Sequence, residues 1–191
     1  MTLNDRSTLL SLLETRRSGK PREMIAPGPN EAELAHILAI AARTPDHGKL
    51  FPWRFVTIAP DQRDALAHLL VEALPESSAA HIAKAQEFAH QAPSLVLLVA
   101  APVPDHKIPL WEQELSVGAA GMNLLLAAHA FGFVACWITG WAAYSDRVTA
   151  ALCAPGERIA GFMFLGSPGV ELEERSRPAL ADVARPWNPP A

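Results

Sequence analysis

Leu95-Val96-Leu97-Leu98-Val99-Ala100-Ala101 is an unbroken apolar run. An apolar run of this length that does not alternate with polar residues suits a strand covered on both faces. Working outward, Trp53-Arg54-Phe55-Val56-Thr57-Ile58 alternates as a strand does, and Phe133–Thr139 and Ile159–Gly166 read as two further buried strands. Helical patterns fill the gaps: Leu3–Thr15, Asn30 to Thr44, Pro60–Ala73, Ala79–His90, Trp111–Ala130 and Tyr144–Leu152. Asn30 is placed to cap its helix, with Glu31 and Glu33 in the first turn and Leu34, Ile37, Leu38 and Ala41 along one face. That helix must end by Thr44, because Pro45 disfavours helical geometry in the residue before it. This order predicts an α/β (α+β) three-layer sandwich, a mixed central sheet with helices on both faces. It predicts a single domain over 1–191, in which the Pro-rich and charged segment 167–191 forms an extended C-terminal tail.

The stretch from Leu115 to Ser145 contains no Asp, Glu, Lys or Arg and is long enough for a membrane span. Asn123, His129, the Gly132-Phe133 break and the acidic flank Glu112 and Glu114 oppose that reading. A helix buried on most sides and followed by a buried strand accounts for the same residues. Its small residues Gly118, Ala119 and Gly121 would let another helix pack closely, so this stretch is a candidate homodimer face. At 20.6 kDa, a compact chain exposes roughly 9,000 Å² of the about 30,000 Å² it exposes unfolded, enough burial for a core without staples. Lys and Arg number 16 against 20 Asp and Glu, a net charge of −4 that argues against nucleic-acid binding. Cys136 and Cys153 are too few for a disulfide scaffold. The segment Met1-Thr2-Leu3-Asn4-Asp5-Arg6 does not lead from a basic region into an apolar one. A cytoplasmic protein that engages neither membrane nor nucleic acid is the expectation.

The motifs of several enzyme classes are missing. There is no H-E-x-x-H or Cys/His cluster for a metal, no G-x-S-x-G elbow, no Walker A loop and no G-x-G-x-x-G turn. Two segments remain. In Arg16-Arg17-Ser18, two guanidiniums and a hydroxyl share a short break after a helix, which suits the forked recognition of phosphate oxygens. The same arginines could instead be solvated charges at a helix C-terminus. Arg43-Thr44-Pro45-Asp46-His47-Gly48-Lys49-Leu50-Phe51-Pro52-Trp53 forms a loop between a helix and a core strand, a common place for function. There, too, Asp46 and His47 could serve only local turn hydrogen bonds.

Taken in order, Arg16-Arg17-Ser18, the Pro-Asp-His…Pro-Trp loop, Ile108-Pro109-Leu110-Trp111-Glu112-Gln113-Glu114-Leu115-Ser116, Trp137-Ile138-Thr139-Gly140 and Gly161-Phe162-Met163-Phe164-Leu165-Gly166 resemble the FMN-dependent nitroreductase family, closest to its short members. The resemblance implies a nitroreductase-like fold and FMN held at the interface of an intertwined homodimer with shared active sites. It implies that Arg16, Arg17 and Ser18 hold the phosphate and ribityl end. Arg43 and His47 would reach the flavin from the partner subunit, and Trp137, Ile138 and Thr139 would line the ring. Arg175 or Arg177, of which Arg177 is carried forward, would supply a late basic residue near the phosphate. Lys49 and Phe51 depart from the pattern, in which many relatives carry Asn and Gln. A Gln can hydrogen-bond the polar edge of the flavin ring and Phe51 cannot.

The implied activity is an oxidoreductase passing hydride from NADH or NADPH through FMN to a small-molecule acceptor such as a nitroaromatic or quinone, in ping-pong order. No dedicated catalytic acid or base is expected. A flavin-binding store or sensor without turnover, or a plain structural domain, are the competing readings.

Overall fold

The computed structural model describes residues 2–190. In chain order the elements are α1 (Leu9–Thr15), β1 (Met24–Ile25), α2 (Glu31–Ala41), β2 (Trp53–Ile58), α3 (Arg63–Glu72), α4 (Ala79–His90), β3 (Ser94–Ala100), α5 (Leu110–Phe131), β4 (Val134–Ile138), α6 (Asp146–Leu152), β5 (Arg158–Pro168) and α7 (Leu180–Val183). Local chemistry sets the helix ends. Asn30 Oδ1 accepts from the Glu33 N–H and Glu33 Oε2 accepts from the Asn30 N–H, each at 2.9 Å, a reciprocal cap. Thr8, Ser78 and Ser145 cap α1, α4 and α6 one-sidedly, each side chain accepting a single backbone N–H. Gly132, at φ 96°, closes α5 in the left-handed conformation that glycine adopts without a Cβ penalty. The first helix is shorter than expected, starting at Leu9 rather than Leu3, because Thr8 caps it and the Asp5 carboxylate turns the chain through Ser7. Neither the two-residue β1 nor the short α7 carries a periodic signal, and sequence reading missed both.

The central run lies between two neighbours. Leu95–Ala100 pairs with Ile58–Trp53 of β2 on one side, and β3 pairs with β5 on the other. Leu95, Leu97 and Val99 enter one core with Phe162 and Phe164, covered by α3 and α4 through Leu66, Leu70, Ala85 and Ala89. Val96, Leu98 and Ala100 enter the other with Met163 and Leu165, covered by α2 and α5 through Ile37, Ala41, Ala120 and Leu124. Period-two alternation thus feeds two cores at once, and three layers result. Each fully buried Leu contributes about 1.5–3 kcal/mol of transfer free energy, so truncating Leu97, which is fully buried, to Ala should cost about 2–5 kcal/mol.

The sheet expected to be mixed is antiparallel in every described pairing, including β4 and β1 on β5. The connections explain this. Two successive helices, α3 and α4, join β2 to β3, which returns the chain to the end it left and makes neighbours antiparallel. β3 and β4, joined by the single helix α5, do run the same way, but β5 lies between them.

Among the described residues, no helix is long and apolar enough to cross a membrane. Gly121, expected on an open helix face, packs inside its own chain: a Cβ there would lie 2.5 Å from the Trp137 ring and 2.8 Å from Leu98. The open face of α5 instead carries Trp111, Leu115 and Met122, at 68%, 53% and 37% exposure. The chain exposes 11512 Å², about 30% above what a compact chain of this mass shows. The excess lies in that face, in α1 and in the tail beyond Pro168, where among the described residues only Leu172 is partly covered.

Candidate active site

Arg16, Arg17 and Ser18 follow α1 directly, and the N-terminal segment clamps them. Asn4 Oδ1 accepts the Arg17 N–H at 2.7 Å, and Asn4 Nδ2 donates to the Arg17 carbonyl at 3.0 Å. The tail closes over the other side. Arg17 Nε donates to the Glu173 carbonyl at 2.7 Å, and Arg177 Nη2 donates to the Arg16 carbonyl at 3.1 Å and to Glu174 Oε1 at 2.9 Å. Arg16 Nη1 donates to Ser18 Oγ at 3.2 Å, so hydroxyl and guanidinium form one unit.

These residues edge a cleft of about 720 Å³, and the end of β4 forms a second edge through Cys136, Trp137, Ile138 and Thr139. The Ala85 and Phe88 side of α4 supplies apolar wall. The expected Arg16–Ser18 and Trp137–Thr139 segments therefore meet. Trp137 borders the cleft, but its indole is committed elsewhere: Nε1 donates to the Ala160 carbonyl at 3.0 Å, and the ring lies against Gly121 and Gly161. Strand alternation sends Ile138 to the α3/α4 side and Trp137 to the α5 side. Of the two late arginines, Arg175 lines the cleft, while Arg177 ties the tail to the Arg16 backbone.

Electrostatically the cleft is an anion receiver. Burial first, then the Arg177, Arg17 and Arg175 charges, hold the Arg16 guanidinium below its ordinary pKa, with Glu174 opposing. Crowded cations stabilise a bound anion. Behind this wall His129 is fully buried. Burial, aided by the Arg16 charge, lowers its pKa to about 4. Its Nε2 accepts the Ala135 N–H at 3.3 Å, so the neutral ring carries its proton on Nδ1. Burial pushes the Cys136 thiol up, so it presents no thiolate to the cleft.

Arg43 and His47 do not line this cleft. They follow α2 in the chain, and His47 Nδ1 meets Glu112 Oε2 at 2.8 Å, a partner on α5 that sequence reading missed. Asp46 does not hold His47. Its Oδ2 accepts the N–H groups of Leu50 and Phe51 at 2.6 and 3.1 Å, shaping a loop in which Gly48, Lys49 and Phe51 all have positive φ. Phe51 is 55% exposed, edge-on to Trp53. Lys20, Arg22 and Lys84 also line the cleft. The basic run Arg16–Arg22 carries a signal for the first two, whereas Lys84 is one surface lysine of a helix and carries none. Among the described residues, no group of His, Cys, Asp and Glu could hold a metal ion.

A flavin oxidoreductase class is the one this sandwich and anion-receiving cleft suit, and comparison with known proteins identifies the family. The model of the nitroreductase family matches residues 14–167, and the chain belongs to that family. A Haemophilus influenzae protein named "Putative NAD(P)H nitroreductase" is 38% identical over 170 residues, covering 87% of this chain and 91% of its own. The crystal structure of a nitroreductase-like family protein from Bacillus cereus aligns with a TM-score of 0.81 at 18% identity, covering 95% of this chain and 96% of that one. The FMN and NADPH-dependent nitroreductase NfnB from Sphigopyxis sp. strain HMH aligns with a TM-score of 0.72 at 19% identity, covering 92% and 97%.

Proposed function

We propose that the chain is an FMN-dependent oxidoreductase that takes hydride from NADH or NADPH and reduces a small oxidised acceptor such as a nitroaromatic or quinone. The observation that carries this reading is the convergence of Arg16, Arg17, Ser18 and Arg175 with the apolar wall of Ile138, Ala85 and Phe88 in one cleft. A terminal phosphate matches the guanidinium cluster, and a flat ring matches the wall. Arg16 and Arg17 would bind the phosphate through charge-assisted hydrogen bonds, each worth about 1.5–3 kcal/mol. Ser18, already bonded to Arg16, would add a hydroxyl donor. FMN when bound supplies the hydride-accepting chemistry. The chain's own residues then bind, orient and exclude water, and a protonated Cys136 leaves the cleft without a competing nucleophile. Donor and acceptor would use the same cleft in turn, in ping-pong order. The name of the Haemophilus influenzae relative, an NAD(P)H nitroreductase, supports the donor assignment.

The reading extends to a cytoplasmic homodimer of single-domain subunits (1–191, with 167–191 as a tail) whose sites are shared. Leu9, Leu10 and Leu13 of α1 are exposed together with Trp111 and Leu115 of α5, which leaves apolar area for a second copy to cover. Arg43 and His47 would then serve the partner's cleft. The purified protein should be yellow and release FMN rather than FAD. Donor-dependent bleaching, followed by recovery on adding a quinone, should separate an enzyme from a flavin store. A colourless protein that takes up no FMN on titration would refute the proposal.

A further inference from the structure

The cleft carries more positive charge than a flavin phosphate uses. Its lining includes Arg16, Arg17, Lys20, Arg22, Lys84 and Arg175 against one carboxylate, Glu87, in a chain whose net charge is −4. Lys20 is neutralised by Glu23 at 2.9 Å. Among the described residues, none of the other five enters an ion pair. A phosphate monoester carries about −1.5 to −2, which Arg16, Arg17 and Arg175 already match. Arg22 and Lys84 are left over. Both are exposed, Arg22 on the 3-10 turn Pro21–Glu23 and Lys84 on α4, on the helix face that Phe88 and Gln91 extend into the cleft. Both cations face one cleft without an ion-pair partner among the described residues, so a second anion there would meet two uncommitted charges.

We propose that Arg22 and Lys84 form a phosphate-receiving subsite for the dinucleotide hydride donor, separate from the flavin phosphate site. This rests on the oxidoreductase reading above, which supplies two anionic ligands to one cleft. The anion is a phosphate of the donor, either its pyrophosphate or the 2′-phosphate that distinguishes NADPH from NADH.

The test uses Arg22→Gln, Lys84→Gln and the double variant. FMN affinity, read by quenching of flavin fluorescence, should stay within about twofold of wild type, because both cations lie outside the flavin phosphate group. In the FMN-loaded protein the donor KM should rise about two- to fivefold per substitution, the range for exposed charge pairs, with kcat unchanged. Calorimetric binding of adenosine 2′,5′-bisphosphate and of ADP should weaken in parallel. A loss confined to NADPH and the bisphosphate assigns the 2′-phosphate, and an equal loss for NADH and ADP assigns the pyrophosphate. Unchanged donor KM and nucleotide affinity in the double variant would overturn the subsite. So would a loss of FMN affinity as large as the loss for the donor. The adenine nucleotide titrations need no flavin, so a chain that binds these nucleotides but takes up no FMN refutes the oxidoreductase reading and leaves the subsite to be decided by the same variants.

Discussion

Arg16-Arg17-Ser18 is held from both sides, by Asn4 at the N-terminus and by Glu173 and Arg177 of the tail. Arg43 and His47 stand on an exposed loop whose one tie to the rest of the fold at His47 is Glu112. The first segment faces a cleft within its own chain, and the second faces outward. Preorganised donors lose little freedom when an anion arrives, so the clamped segment can supply affinity on its own. The outward loop gains meaning only if another surface meets it. Half of the proposed site is complete within one chain, and on the shared-site proposal the other half would be completed by a neighbour.

The largest expected effect lies behind the clamped half. His129 has its pKa lowered to about 4 from 6.5, so between those values the unfolded chain binds a proton that the native chain does not. Stability from this group is therefore kept above pH 6.5 and lost as pH falls towards 4, by about 3 kcal/mol in all. Denaturant titrations at pH 7 and pH 4.5 should show a drop that is much smaller in His129→Gln. An equal drop in the variant would assign the acid sensitivity to other groups.

Next is the flavin itself. Arg16→Ala should weaken FMN binding about tenfold or more, since one charge-assisted hydrogen bond is removed from a half-buried site. The sharper form is a mixed dimer with Arg16→Ala in one subunit and His47→Ala in the other, made once each parent homodimer is shown to bind FMN weakly. With shared sites, one site collects both lesions and the other none, so roughly half the flavin binds normally. A heterodimer with no normal site would place His47 outside the partner's cleft.

Smaller still is the loop's internal strain. Phe51 sits at φ 49°, a left-handed conformation that costs a residue with a Cβ about 1–2 kcal/mol. Phe51→Asn should raise stability by about 1 kcal/mol, because Asn visits this region more readily, and thermal melts would read the change. A destabilised Asn variant would mean that the edge-on contact with Trp53 outweighs the backbone gain.

The smallest effect is expected at Glu112→Gln. His47 and Glu112 side chains are 65% and 40% exposed, so solvent screens the pair and stability should change by less than about 1 kcal/mol. If the loop serves the partner, FMN affinity should fall more than stability does, because His47 loses the carboxylate that orients it. Parallel losses would mark the pair as a structural tie.

The core strands, the Asn30 cap and the placement of Arg16-Arg17-Ser18 in a break after a helix were legible because they are local. Leu95–Ala101 declares burial through seven adjacent residues, and Asn30 with Glu33 declares a helix start across three. The helices from Ala79 to His90 and the strand from Trp53 to Ile58 fall where periodicity puts them. Other features depend on pairs far apart in the chain, which no periodicity records. Gly121 looked like an open contact because sequence shows its size but not the Trp137 ring that fills the space above it. Glu112 lies 65 positions from His47, and Lys84 joins the cleft only because the fold brings α4 and the end of β4 to line the same space.

By itself the sequence determined the four longer strands and the helices between them, the two-faced character of β3 and the basic run Arg16–Arg22. Each follows from side-chain chemistry repeated over a few residues, and short-range order of that kind survives without knowledge of the fold. Tertiary structure alone decided that the sheet is antiparallel, that Arg175 rather than Arg177 enters the cleft, and that Trp137 turns its indole to Ala160. Those outcomes depend on which elements pack together, since chain reversal through α3 and α4, closure of the tail over Arg16, and the gap left by Gly121 and Gly161 exist only once distant segments meet.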